Sequence, residues 1–122
     1  MRTIAKDYSV GFEGEPTFSF VRRDTHGAEV VFTMWEGHFG RIMDQVQPGP
    51  EGWTGLALQY HTVTPWWDDP DWRVPDVVSV VQQLDGVDRA QLAAEEREVL
   101  DELVAFIREG VARGDALHIQ DV

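Results

Sequence analysis

The chain has 122 residues, with 22 acidic against 10 basic side chains, a formal charge of −12 and no cysteine. The missing cysteines exclude disulfides, thiolate metal centres and cysteine nucleophiles, and make a cytoplasmic setting the default. So acidic a chain repels nucleic-acid phosphates and anionic membranes, and attracts basic partners. No apolar run approaches the roughly 20 residues of a membrane span, and residues 1–8 lack the apolar core of a signal peptide. The length fits one domain over residues 1–122. Lys6 stands alone against nine arginines, which fits the coding bias of a GC-rich bacterial genome.

Tyr8, Val10 and Phe12 alternate with Ser9, Gly11 and Glu13, the period of a half-buried strand. Gly14, Glu15 and Pro16 break it. A second strand runs over residues 17–22, with Phe18 and Phe20 on one face. A polar turn over residues 23–27 ends in glycine and leads to a third strand over residues 29–36, rich in β-formers. Bulky apolar groups on both its faces place that strand centrally. Residues 37–40 (Gly-His-Phe-Gly) read as a turn. Residues 41–47 fit either a short helix or a strand, and a fourth strand suits a meander better. Two prolines and two glycines make residues 48–52 a loop. Residues 53–63 then alternate as a long strand, with Leu56, Leu58 and Tyr60 on one face.

The most conspicuous stretch is residues 65–75. Prolines at 65, 70 and 75 bar a helix and disfavour a regular central strand. Beyond it, Pro75 and Asp76 suit a helix start, and Val77, Val80, Val81 and Leu84 follow at helical spacing. Asp88 and Gln91 resemble a capping box. Residues 91–113 form a long amphipathic helix whose stripe is Val99, Leu100, Leu103, Val104, Ile107 and Val111. Gly114 stops it. Leu117 and Ile119 fit a short last strand. The fold expected is α+β: an antiparallel sheet of four to five strands in the N-terminal half, packed with two C-terminal helices.

No serine lies in a Gly-x-Ser-x-Gly elbow, and no glycine-rich phosphate loop is present. His26, His38, His61 and His118 are scattered without metal-ligand spacing. Asp68, Asp69 and Asp71 lack the glycine and distant glutamate of a calcium loop. The sequence therefore assigns no catalytic residue, no metal and no cofactor. It offers one binding constellation: Trp66, Trp67 and Trp72 beside Asp68, Asp69 and Asp71. An indole face with neighbouring carboxylates receives a guanidinium or ammonium group. The function this favours is a non-enzymatic, acidic protein-binding module. An inhibitor or immunity protein against a basic bacterial toxin or nuclease is one concrete form. The alternative is a small-molecule binder or enzyme with an aromatic-lined pocket, in which Glu36 and His38 share a face as a polar pair.

Overall fold

A computed structural model describes residues 2–46 and 72–121. The strand expected at residues 53–63 and the loop before it lie outside the described residues. In chain order, the described elements are β1 (Arg2–Tyr8), β2 (Thr17–Arg23), β3 (Glu29–Trp35), α1 (Glu36–Asp44), β4 (Trp72–Arg73), α2 (Val77–Asp85), a 3-10 turn (Arg89–Gln91), α3 (Ala94–Arg113) and β5 (Ala116–Asp121). The class is α+β. Four strands of six or seven residues carry the sheet, with the two-residue β4 at its edge.

The strand order is β1-β3-β2-β5-β4. β2 pairs antiparallel with both β3 and β5, but β1 pairs parallel with β3. The sheet is mixed, which corrects the purely antiparallel expectation. A meander would place β1 beside β2. Here β2 takes β5 as its second neighbour, so β1 must lie across β3. The β1–β2 link therefore passes the end of β3. This also corrects the first strand, because residues 2–8 extend while residues 9–16 turn.

A second correction concerns residues 37–44, expected as a turn over residues 37–40 followed by a segment that fits a short helix or, preferred, a fourth strand. They form α1. Phe39, Ile42, Met43 and Val46 recur at the spacing of one helical face and are all buried. Their burial, about 1.5–3 kcal/mol for each large side chain, outweighs the roughly 1 kcal/mol that a helical glycine costs. The helix-facing side of the sheet supplies Phe18, Phe20, Phe32, Met34, Leu117 and Ile119 to the same core. The opposite side is closed too: Val21 and Val31 are 0% and 1% exposed. β3 is thus a central strand with apolar burial on both faces, as its composition implies.

Asp76 caps α2, its carboxylate accepting from Ser79 N at 3.0 Å, and Gly86 closes the helix. Asp88 caps only the 3-10 turn, accepting from Ala90 N at 2.9 Å. Leu92 is extended (φ −103, ψ 147) with its side chain buried, so the long helix starts at Ala94 rather than at residue 91. Gly114 ends α3 in the left-handed region at φ 76, and Asp115 N reaches back to Gly110 O at 2.9 Å, which closes the helix end. Val111, expected in the apolar stripe, is 41% exposed. Phe106 and Gly110 face inward in that last stretch instead.

The reason is Arg22, a β2 cation that is only 6% exposed. Its Nη1 donates to Phe106 O and to Glu109 Oε2, each at 3.0 Å. Its Nε lies 3.7 Å from the buried Asp115 carboxylate. The guanidinium carbon sits 4.6 Å from the Phe106 ring centroid. A Cβ on Gly110 would lie 2.7 Å from Arg22 Cδ, so glycine makes the approach possible.

On the opposite face, Glu29 accepts from Arg23 Nε at 2.8 Å and from Arg2 Nε at 3.0 Å. The Arg23 bonds first, and Arg2 second, hold its carboxyl below the usual glutamate range.

Two outcomes follow in urea unfolding. Arg22→Met removes the bonds to Phe106 O and Glu109, leaves the buried Asp115 carboxylate with Arg113 alone at 3.8 Å, and costs about 3 kcal/mol; a loss near zero would show that the buried cation does not join β2 to α3. The depressed carboxyl of Glu29 contributes stability above the usual glutamate range, lost as pH falls through its lowered value. Glu29→Gln therefore flattens the acid limb of the stability curve, and an unchanged limb would contradict the pairing.

Candidate functional site

The link between β1 and β2 must clear the end of β3, and Trp35 stands at that end. The loop is built from its own polar groups. Asp7 Oδ1 accepts from Ser9 N at 2.9 Å. Phe12 N and Glu15 N donate to Ser9 O and Phe12 O, each at 3.0 Å. Glu36 N, at the start of α1, donates to Pro16 O at 2.9 Å and ties the loop to the helix. These turns bring Phe12 flat onto Trp35, with ring centroids 4.0 Å apart and planes 3° from parallel.

Trp35 in turn folds over Gly37. A Cβ there would come within 2.3 Å of the indole, so no side chain fits. His38 closes the group, edge-on to Phe12 at 5.3 Å and to Trp35 at 5.2 Å. It is 2% exposed. Its Nε2 lies 3.3 Å from Glu95 Oε1, and among the described residues neither ring nitrogen makes a hydrogen bond.

Carboxylates surround this aromatic stack. Beside Phe12, the exposed side chains of Asp7, Glu13 and Glu15 border a shallow depression of about 370 Å³. Hydrogen bonds from its own backbone N–H first, and from Gly11 N second, hold the Glu13 carboxyl below the usual range. On α3, Glu95, Glu98 and Glu102 form a stripe at spacings of three and four. Glu98 hydrogen-bonds Tyr8, and burial, this bond and the charges of Glu98 and Glu102 push the phenol up to about 12. Lys6 Nζ is 3.8 Å from Glu102 Oε2. An aromatic face among ionised carboxylates suits an incoming guanidinium or ammonium.

The residues expected to do this from sequence are the tryptophans and aspartates of residues 66–72. Trp66, Trp67, Asp68, Asp69 and Asp71 lie outside the described residues. Trp72 contributes its backbone to β4, paired with Ile119. The Glu36–His38 pair on a strand is corrected: both are in α1, and the carboxylate beside His38 is Glu95 of α3. His26 is in the β2–β3 turn and His118 is in β5, so the described histidines sit on separate elements. Among the described residues no group of three or more His, Asp and Glu is placed to hold a metal ion, and no helix is long and apolar enough to cross a membrane. A wide cleft of about 750 Å³ between α1 and α2 is lined among the described residues by polar groups such as Gln45, Ser79, Gln82 and Gln91, without an aromatic side chain. Ser9 and Ser19 hydroxyls are engaged by Asp7 and Thr33.

The sequence reading missed Phe12 and Trp35 because each was assigned to a strand face. The available signal was the glycine two residues after Trp35. Comparison with family models, with curated proteins and with solved structures finds no match to this chain in any of the three.

Gly37→Ala forces the indole off its seat and destabilises the protein by about 1–3 kcal/mol. Phe12→Ala removes one of the two rings flanking His38 and moves the His38 ring-proton signals in an NMR spectrum. Unchanged His38 signals in Phe12→Ala would rule out the stacked arrangement.

Proposed function

We propose that the protein is a non-enzymatic, acidic binding module that engages a basic surface on a partner protein. An inhibitor or immunity protein held against a basic bacterial toxin or nuclease is the concrete form. The observation that carries this reading is the partly buried Phe12–Trp35 stack, with Asp7, Glu13 and Glu15 bordering its Phe12 side. The glycine at 37 and the edge-on His38 hold those rings in a fixed orientation, so little conformational freedom is lost when a cation arrives. The formal charge of −12 adds long-range attraction, which raises the rate of encounter with a basic partner.

The stretch carrying Trp66, Trp67, Asp68, Asp69, Asp71 and Trp72 has the same residue types, and we assign it to the same function. In this division of labour the carboxylates set the association rate and the rings set the lifetime of the complex.

The test is capture from the native host by the intact protein and by the Asp7→Asn, Glu13→Gln, Glu15→Gln variant, followed by binding kinetics on whatever basic protein is retained. The triple variant is expected to associate about tenfold more slowly at low salt, with a weaker salt dependence. Phe12→Ala is expected instead to speed dissociation. Retention of no basic protein, or equal kinetics for all three forms, would contradict this function.

A further inference from the structure

β1 is the outermost strand on its side of the sheet, and among the described residues only β3 pairs with it. Residues 2–7 are all exposed, so their outward backbone groups stand at an open edge. Such a row of unpaired N–H and C=O groups is a template for another strand. The strand contributes little to the core: only Tyr8 packs against it.

The charges around this edge select the occupant. On the helix side, Glu98 and Glu102 of α3 rise toward β1, where they meet Tyr8 and Lys6. Lys6 answers Glu102, leaving Glu98 and, one turn earlier, Glu95 without a lysine or arginine at ion-pair distance among the described residues. At the end of the strand stand Asp7 and Glu13. A second copy of this chain fits poorly, because each brings a charge of −12, and because the register slip between Ile4 and Lys6 interrupts the ladder. Bulges and edge lysines are common guards against self-pairing. An extended basic segment escapes the charge repulsion: it pairs its backbone with the part of the edge on one side of the slip and carries cations to the carboxylate stripe.

We propose that an extended, basic segment of the partner protein adds to the free edge of β1 as a further strand, with alternate lysine or arginine side chains directed at Glu98 and Glu95. This rests on the basic-partner function proposed above and specifies how such a partner docks. Backbone pairing supplies affinity, and the alternate side chains supply selectivity.

The experiment uses the intact protein and two capped peptides of equal charge. One alternates lysine with valine; the other carries proline at every valine position and cannot form a strand. Amide hydrogen exchange is followed by NMR during each titration. The Lys–Val peptide is expected to slow exchange of the outward β1 amides, and the Glu95→Gln, Glu98→Gln variant to bind it about fivefold more weakly, two surface ion pairs being lost. The proline peptide is expected to leave β1 exchange unchanged. Equal binding of both peptides with β1 exchange unaffected would overturn strand addition while leaving the basic-partner function standing. Slowing of β1 exchange with rising protein concentration alone would overturn it in favour of self-pairing. Absence of binding by the Lys–Val peptide would also overturn it, and the capture experiment would then decide the function separately.

Discussion

Arg22 is the cation on which the sheet and the long helix close. It leaves β2 on the helix-facing side, and its guanidinium meets the Phe106 carbonyl about two turns before the end of α3. Glu109, Asp115 and the face of Phe106 complete its surroundings. A charge this buried needs counter-charge and acceptors around it: Nη1 finds two acceptors on α3, while Nε makes no hydrogen bond among the described residues and faces the Asp115 carboxylate at 3.7 Å. The pairing thus sets where α3 stops and where β5 begins beside β2. The position of β5 in turn leaves β1 to pair with β3, and the β1–β2 link to pass over Trp35.

The same device recurs at two places. A glycine replaces a side chain so that a large group can lie directly on a helix backbone: Gly110 beneath Arg22, Gly37 beneath Trp35. At Gly110 the consequence is structural, since it seats a cation in the core. At Gly37 the consequence is a surface, since it fixes an indole for Phe12 to stack upon. The rest of that surface follows from the loop that must cross β3, which brings Asp7, Glu13 and Glu15 beside the rings.

Sequence periodicity carried β2, β3, α2, α3 and β5, because each buries a regular face and ends at a clear stop such as Gly86 or Gly114. It failed where local cues and tertiary packing conflict. Gly37 and Gly40 look like turn residues, yet Phe39, Ile42 and Met43 bury a helical face strongly enough to prevail. Asp88 and Gln91 look like a helix start, yet Leu92 anchors in the core and delays it. The alternation of Tyr8, Val10 and Phe12 looks like a strand, yet Val10 is 72% exposed and Phe12 stacks on an indole. The Phe12–Trp35 stack was not legible, because it depends on a parallel pairing that no local pattern encodes.

The central claim is that the ring pair and its carboxylates form a receptor for a cationic side chain. The most direct test is an NMR titration of the protein with N-acetyl-arginine amide, following backbone and aromatic signals together. The account predicts that Asp7, Phe12, Trp35 and Glu95 shift in concert with one common affinity, and that added salt weakens it. Shifts confined to the glutamine-lined cleft between α1 and α2, or no concerted shift at the rings, would contradict it.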